Sequence, residues 1–379
     1  MTLIDVAIIG GGASGTTTAF HLANRNKKVS ILEKETSYMD KVCGGGMSAA
    51  VQNWFPFNLM PIVDEVIKNV EFSWQNTDKV VAKLSGSSPF WIVKREKLDA
   101  FLLDKALNSG CNFLNTFNVI KIKKNSNIWQ ITALDGRQVE AKAVVIADGS
   151  QSPWPRTFNL GPKQQRFAST FSGRIKRKGN LGSETARFEF GLINNGFAWA
   201  FPLKDEVNIG MGTFLDNKSS MPVDEILKSF LPSLGFEPSE VIGQRKKLRI
   251  WNGHSNLNGD GILIVGDAAS LCDPFLAEGL RPALMSGFEA ANNLIYWLDG
   301  NVDSLDEYSK TMKRNWGNSM AWGKRIAQVF YRFPKVGYQL GVKRPTAPER
   351  IAQILSGEKS YEDIAKRVIK RLLFQNSSS

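Results

Sequence analysis

The 379 residues contain few of the side chains that most often ligate metals or attack carbonyls: two histidines, His21 and His254, and three cysteines, Cys43, Cys111 and Cys272. The cysteines are too few and too scattered for a disulfide framework. No CxxC pair or Cys/His cluster points to zinc. Neither histidine lies near a nucleophile motif, which argues against a Ser-His-Asp hydrolase. No apolar run reaches the roughly 18 residues that a membrane-spanning helix needs. The opening "MTLIDVAIIGGG" has no basic leader and runs straight into a glycine turn, so it does not read as a secretory signal. Internal repeats, low-complexity linkers and known nucleic-acid modules are also missing. The expected setting is a reducing cytoplasm. The net charge of +12 is spread along the chain and is compatible with anionic lipid or a phosphorylated substrate.

What is present is glycine in particular places. "LIDVAIIG" is a short, almost wholly apolar run, as a buried parallel strand should be. "ASGTTTAFHLANRN" fits a helix, and "KKVSILEKE" a second strand. Between strand and helix, Gly10, Gly12 and Gly15 form GxGxxG. The first glycine turns the chain, the second admits a pyrophosphate, and the third packs helix on strand, with Ala13 and Ser14 opening the helix N-terminus. Glu33 closes the second strand, placed for the hydroxyls of an adenosine ribose. Downstream, "IADGS" (with Asp148 and Gly149) and "IVGDAASLCDPFLAEGL" follow apolar strands. A one-cofactor NAD dehydrogenase does not need a Gly-Asp strand end so far along, whereas an extended FAD does. Gly266 and Asp267 are placed for the ribityl chain. The turn after Pro274 brings the amides of Gly279 and Leu280 toward the flavin pyrimidine edge. Asp267 also reads as a helix N-cap, and the two roles are compatible.

These motifs resemble the FAD-dependent hydroxylase-type flavoproteins. More narrowly, "KVCGGGMS", "GFAWAFP", "GDAASLCDPFLAEGL" and "ILSGEKSYEDIAKRV" resemble the geranylgeranyl reductase family, over nearly the whole chain. Phe197 stands where that family's YxWxFP motif carries tyrosine, and Ala277 where a glycine is common. Arg281 and Pro282 lie close by. The resemblance implies reduction of isolated carbon–carbon double bonds in the prenyl chain of an isoprenoid diphosphate, lipid or pigment precursor, by hydride from reduced FAD. It leaves the donor open between NADPH, ferredoxin or another redox protein. Two other readings share these motifs: a flavin monooxygenase or halogenase, and a non-enzymatic prenyl-lipid carrier that retains FAD.

The expected fold is α/β: a discontinuous Rossmann-like FAD-binding domain, an inserted mainly antiparallel substrate sheet, and a helical C-terminal region. The FAD-binding segments are 1–60, 94–160 and 259–300; substrate-domain strands occupy 61–93, the catalytic sheet 161–258, and the helical region 301–379. Gly44, Gly45 and Gly46 are expected to let the backbone pass flat against the cofactor. By family analogy Cys43 then faces the substrate; otherwise it is a small buried apolar residue. Phe197, Trp199 and Phe201 share one strand face, as an aromatic wall over the flavin or as core. The wall would steady a cationic carbon, with Cys43 or a water it orients near the proton path. Arg95 is read as an FAD contact or a surface arginine, and Lys34 and Lys41 as phosphate partners or solvated lysines. In "SYEDIAKRVIKRLLF", Tyr361, Ile364, Val368 and Leu372 share a helical face opposite Lys366, Arg367, Lys370 and Arg371. That face either lies on a membrane or packs on the protein.

Overall fold

A computed structural model describes residues 3–36, 43–84, 89–177, 182–214 and 221–367. The apolar opening strand Ile4–Ile9 sits at the centre of a parallel sheet. It pairs with Val29–Leu32 on one side and Gln138–Ile146 on the other. Asn112–Leu114 and Ile262–Ile264 extend the sheet, again in parallel. An antiparallel ribbon, Val119–Asn125 and Ile128–Ala133, grows from Gln138–Ile146. Parallel strands lie under helices on their faces, which is why their inner runs, such as residues 6–9, 143–146 and 262–264, are apolar and buried. The helix Ala13–Ala23 is buried along almost its whole length, because the helix Leu280–Leu298 crosses it tightly. A Cβ on Gly287 would lie 2.5 Å from the Ser14 carbonyl oxygen.

The second sheet has seven strands, in the order Ile242–Ile250, Arg166–Lys176, Glu206–Thr213, Gly196–Pro202, Thr185–Phe190, Asn69–Trp74 and Thr77–Lys83. All its pairings are antiparallel except Thr185–Phe190 with Asn69–Trp74. Strand alternation sorts Gly196–Pro202 in two. Ala198 and Ala200 face outward and form a separate core with the helix Val223–Phe230. Phe197, Trp199 and Phe201 face the nucleotide sheet. A third, three-stranded sheet joins Gly46–Ser48, Phe90–Val93 and Val63–Ile67. The FAD-type fold with an antiparallel sheet and a helical end is therefore as expected.

The C-terminal region is helical: Asp306–Met312, Asn318–Arg332, Pro334–Gly341, Ala347–Leu355 and a turn of helix over 361–367. Three fully buried tyrosines pin it down. The Tyr308 hydroxyl donates to the Ile264 carbonyl at 2.9 Å, Tyr338 to that of Phe72 at 3.1 Å, and Tyr361 to the Asp273 carboxylate at 2.8 Å. For Tyr361 and Ile364, the apolar face of the last helix packs on the protein. Its continuation, Val368, Lys370, Arg371 and Leu372, lies outside the described residues, as does Lys41. Among the described residues no helix is long and apolar enough to cross a membrane, and no cluster of His, Cys, Asp and Glu could hold a metal ion.

Candidate active site

A cleft of about 760 Å³ runs between the two large sheets. At its nucleotide end, Gly10 adopts φ +101° with the Ala147 carbonyl 2.6 Å from where a Cβ would be. Gly15 packs its Cα against the Gly10 carbonyl, leaving no room for a side chain. No side chain caps the helix Ala13–Ala23, so its first N–H groups stay available to an anion. The Glu33 carboxylate accepts from Gly11 N at 2.7 Å and from Glu35 N at 3.1 Å. Each oxygen keeps a second lone pair toward the cleft. Lys34 stands exposed at the rim, 3.6 Å from Glu35.

Farther in, one Asp148 carboxylate oxygen is buried without a partner. Burial pushes its carboxyl up to about 6, against the pull of Ser152 and Arg249. Gly149 and Asp267 line the same passage. Burial raises the Asp267 carboxyl, opposed by Lys246, Arg95 and Arg249. Gly279 ends the next turn, and the helix Leu280–Leu298 begins there without a side-chain cap. Its N–H groups and partial positive charge stand at the cleft. An orphaned carboxylate oxygen, two uncapped helix starts and a glycine-lined passage fit an extended dinucleotide such as FAD. Of the residues expected at the cofactor, only Gly15, Gly266 and Pro274 stay out of the cleft lining. Gly15 allows close packing on the Gly10 turn, Gly266 close packing on Ser14, and Pro274 is buried in the turn.

The protein's own walls already crowd the three glycines after Cys43. Gly45 has φ +73°, and any Cβ there would strike the Val93 carbonyl. Side chains on Gly44 and Gly46 would meet Trp199 and Phe90. Cys43 is partly buried; its sulfur accepts from Gly45 N at 3.3 Å. Its carbonyl accepts from Asn208 Nδ2 at 2.7 Å. The Asn208 Oδ1 in turn accepts from Trp199 Nε1 at 3.3 Å and Ser172 Oγ at 3.1 Å. One buried amide thus ties the glycine turn to the aromatic strand. Arg95 is the first residue of the helix Arg95–Asn108 rather than a surface arginine before it. It pairs with buried Asp99 at 3.0 Å. Burial disfavours its charge, but Asp99 and the Cys43 sulfur outweigh that and raise its basicity.

Phe197, Trp199 and Phe201 do form a wall. Phe197 and Trp199 lie 6.0 Å apart, Trp199 and Phe201 6.2 Å, and Phe188 backs Phe201 at 5.2 Å. Trp199 spreads over Gly210 of the neighbouring strand, where a Cβ would collide with its ring.

Two residues of this site had no assigned role from the sequence. Asn208 is one. The other is Glu278, which lies in the cleft with one carboxylate oxygen bonded to Arg281 at 2.6 Å and the other buried and unpartnered. Burial pushes its carboxyl up to about 7, with Asp273 pushing the same way and Arg281 and the Ser48 backbone N–H pulling down. Arg281 itself lies 5.0 Å over the Trp316 ring. Only an ionisable residue inside an otherwise apolar turn marks Glu278 in the sequence.

Comparison with known proteins agrees with this geometry. Residues 4–172 match the pyridine nucleotide-disulphide oxidoreductase family. A digeranylgeranylglycerophospholipid reductase of Picrophilus torridus is 26% identical, over 96% of this chain and 95% of its own. A menaquinone reductase of Mycobacterium tuberculosis is 26% identical, over 87% of this chain and 85% of its own. Among solved structures, a geranylgeranyl bacteriochlorophyll reductase-like protein of Thermoplasma acidophilum superposes with a TM-score of 0.77. It is 19% identical and covers 94% of this chain and 92% of its own. A flavin-dependent brominase shares the fold with a TM-score of 0.72 at 18% identity, covering 98% of this chain and 100% of its own. Fold, site and relatives define an FAD-dependent oxidoreductase. Within that class, the near full-length match to reductases bears out the resemblance to the geranylgeranyl reductase family.

Proposed function

We propose that this protein reduces isolated double bonds in the prenyl chain of an isoprenoid diphosphate, lipid or pigment precursor. One observation carries the reading. Beyond the glycine turn the cleft is walled by Phe188, Phe197, Trp199 and Phe201, and the Glu278 carboxyl is buried in the same cleft with a free oxygen. An unactivated alkene needs such a place: an apolar surface for the chain, and a neutral acid sheltered from water.

Gly10, Gly12, Ala13, Ser14, Glu33 and Asp148 would hold the dinucleotide part of FAD, and Asp267, Gly279 and Leu280 its flavin end. Bound and reduced, FAD would supply hydride. The residues of the chain do the rest. The Glu278 carboxyl holds a proton at its unpartnered oxygen and gives it to one alkene carbon, becoming a carboxylate that Arg281 steadies. The π faces of Trp199 and Phe201 favour positive charge at the neighbouring carbon. Glu278 then regains its proton from solvent. Cys43 and its glycines shape the wall on the near side, with Asn208 holding Trp199 and the turn in register.

The test is anaerobic. Dithionite-reduced protein is mixed with geranylgeranyl diphosphate and with a geranylgeranylated glycerol lipid. Expected is a gain of about two mass units per reduced bond, with flavin reoxidation. No mass change with either substrate while the flavin stays reduced rejects the reading. Substrate-dependent oxygen uptake in air would then favour a monooxygenase.

A further inference from the structure

Every charged residue from 308 to 348 is a lysine or an arginine. This stretch contains the helices Asn318–Arg332 and Pro334–Gly341, set one after the other. Their inner face is packed. Phe330 meets Phe190 and Phe275 at 5.3 Å each, and Phe190 meets the cleft residue Phe197 at 5.7 Å. Their outer face is not covered by any described residue. Val329 is 70% exposed, Phe333 59%, Val336 55% and Leu340 53%. Val336 and Leu340 lie one turn apart on the second helix, Val329 near the end of the first and Phe333 at the junction between them, so the four form an apolar stripe about that junction. Exposed Arg325, Arg332, Lys335 and Arg344 flank it. Of these, Arg332 lies 5.8 Å over the Phe333 ring.

We propose that this stripe docks the protein on the surface of an anionic lipid bilayer, with Phe333 and its aliphatic neighbours in the headgroup boundary and the flanking cations at the phosphates. Exposed apolar side chains and bordering cations supply the two attractions that hold a peripheral protein on such a surface, and the Asp78 carboxylate at its edge is bonded to Gln339 and Lys343. The long arginine and lysine stems can follow the interface while their charges stay wet. A second copy of the chain is a poor occupant, because joining two such stripes would set cation against cation. Residues 368–379 are equally unsuited, since they carry Lys370 and Arg371 and no acidic residue. The inference does not depend on which double bond is reduced. It also moves the membrane contact off the Tyr361 helix face, which is buried.

Full-length, FAD-loaded protein is floated with vesicles of phosphatidylcholine alone and of phosphatidylcholine with phosphatidylglycerol. Binding is expected to the anionic vesicles and to weaken with added salt. Two variants remove different attractions: Phe333→Ser with Val336→Ser, and Arg332→Glu with Lys335→Glu. Each is expected to lower the vesicle partition coefficient about tenfold, with the flavin spectrum unchanged. Ile242→Ser, at an 87% exposed residue on the edge strand Ile242–Ile250, is expected to bind as the unaltered protein does. The inference is overturned if anionic vesicles do not bind, or if both stripe variants bind undiminished. It is also overturned if light scattering shows that the unaltered protein is a dimer and the stripe variants are monomers.

Discussion

At the scale of single residues, two side chains carry unusual conditions. Glu278 is an acid whose carboxyl burial lifts to about 7. In the window between its ordinary value and about 7 the folded state binds more protons than the unfolded one, so this group's contribution to stability is present at low pH and declines as pH rises through 7. Alkene reduction is expected to fall over the same range, because a proton donor works only while protonated. Glu278→Gln should lower turnover at least about 100-fold with FAD still bound. Its urea midpoint should lose the decline near pH 7, which separates the proton role from simple packing. Ala277 is the second. It stands at φ +58°, a left-handed conformation that glycine adopts more readily. That backbone costs a β-carbon about 1 kcal/mol. Ala277→Gly should raise the melting temperature slightly, less what glycine adds to the entropy of the unfolded chain. Ala277→Val should lower it.

At the scale of elements, the site depends on close approaches that side chains would prevent. The helices Ala13–Ala23 and Leu280–Leu298 touch through Gly287, whose missing Cβ leaves the Ser14 carbonyl in place. Both helix starts open on the cleft. Gly287→Val should therefore cost about 3 kcal/mol of stability by overpacking and also weaken retention of FAD, read by flavin fluorescence after gel filtration. The GxGxxG turn, its helix and the Glu33 strand end were legible in the sequence, because strand, turn and helix there are set by neighbours within a few residues. The aromatic wall was legible too, since alternation along Gly196–Pro202 puts Phe197, Trp199 and Phe201 on one side in any sheet. Which side was not. The choice came from Ala198 and Ala200, small enough to lie under the helix Val223–Phe230.

At the scale of the whole molecule, three buried tyrosines fasten the helical C-terminal region to both large sheets and to the turn beside Glu278. Tyr338 donates from a helix to the carbonyls of Phe72 and Asp78 at 3.1 and 2.5 Å. Tyr338→Phe should cost about 1 to 2 kcal/mol in a denaturant titration, since a buried acceptor is left without its donor. Its FAD absorbance should be unchanged, because the bond lies at the far edge of the second sheet. The same docking decides what remains outside. It hides Phe330 and Tyr338 and leaves Val329, Phe333, Val336 and Leu340 uncovered.

The order of strands and helices in the nucleotide-binding part, the need for glycine at Gly10 and Gly15, and the match to a flavin oxidoreductase follow from the sequence by itself. Each rests on local pattern: apolar runs, turn residues and their spacing. The crowding of Gly44 to Gly46, the network through Asn208, the burial of the Glu278 carboxyl beside Arg281 and the uncovered stripe were decided only by the tertiary structure. A clash, a lost partner or a raised carboxyl is a property of atoms from distant segments meeting in one place. Val93 against Gly45, Asn208 against Cys43 and Arg281 with Asp273 around Glu278 are such meetings, and no spacing along the chain announces them.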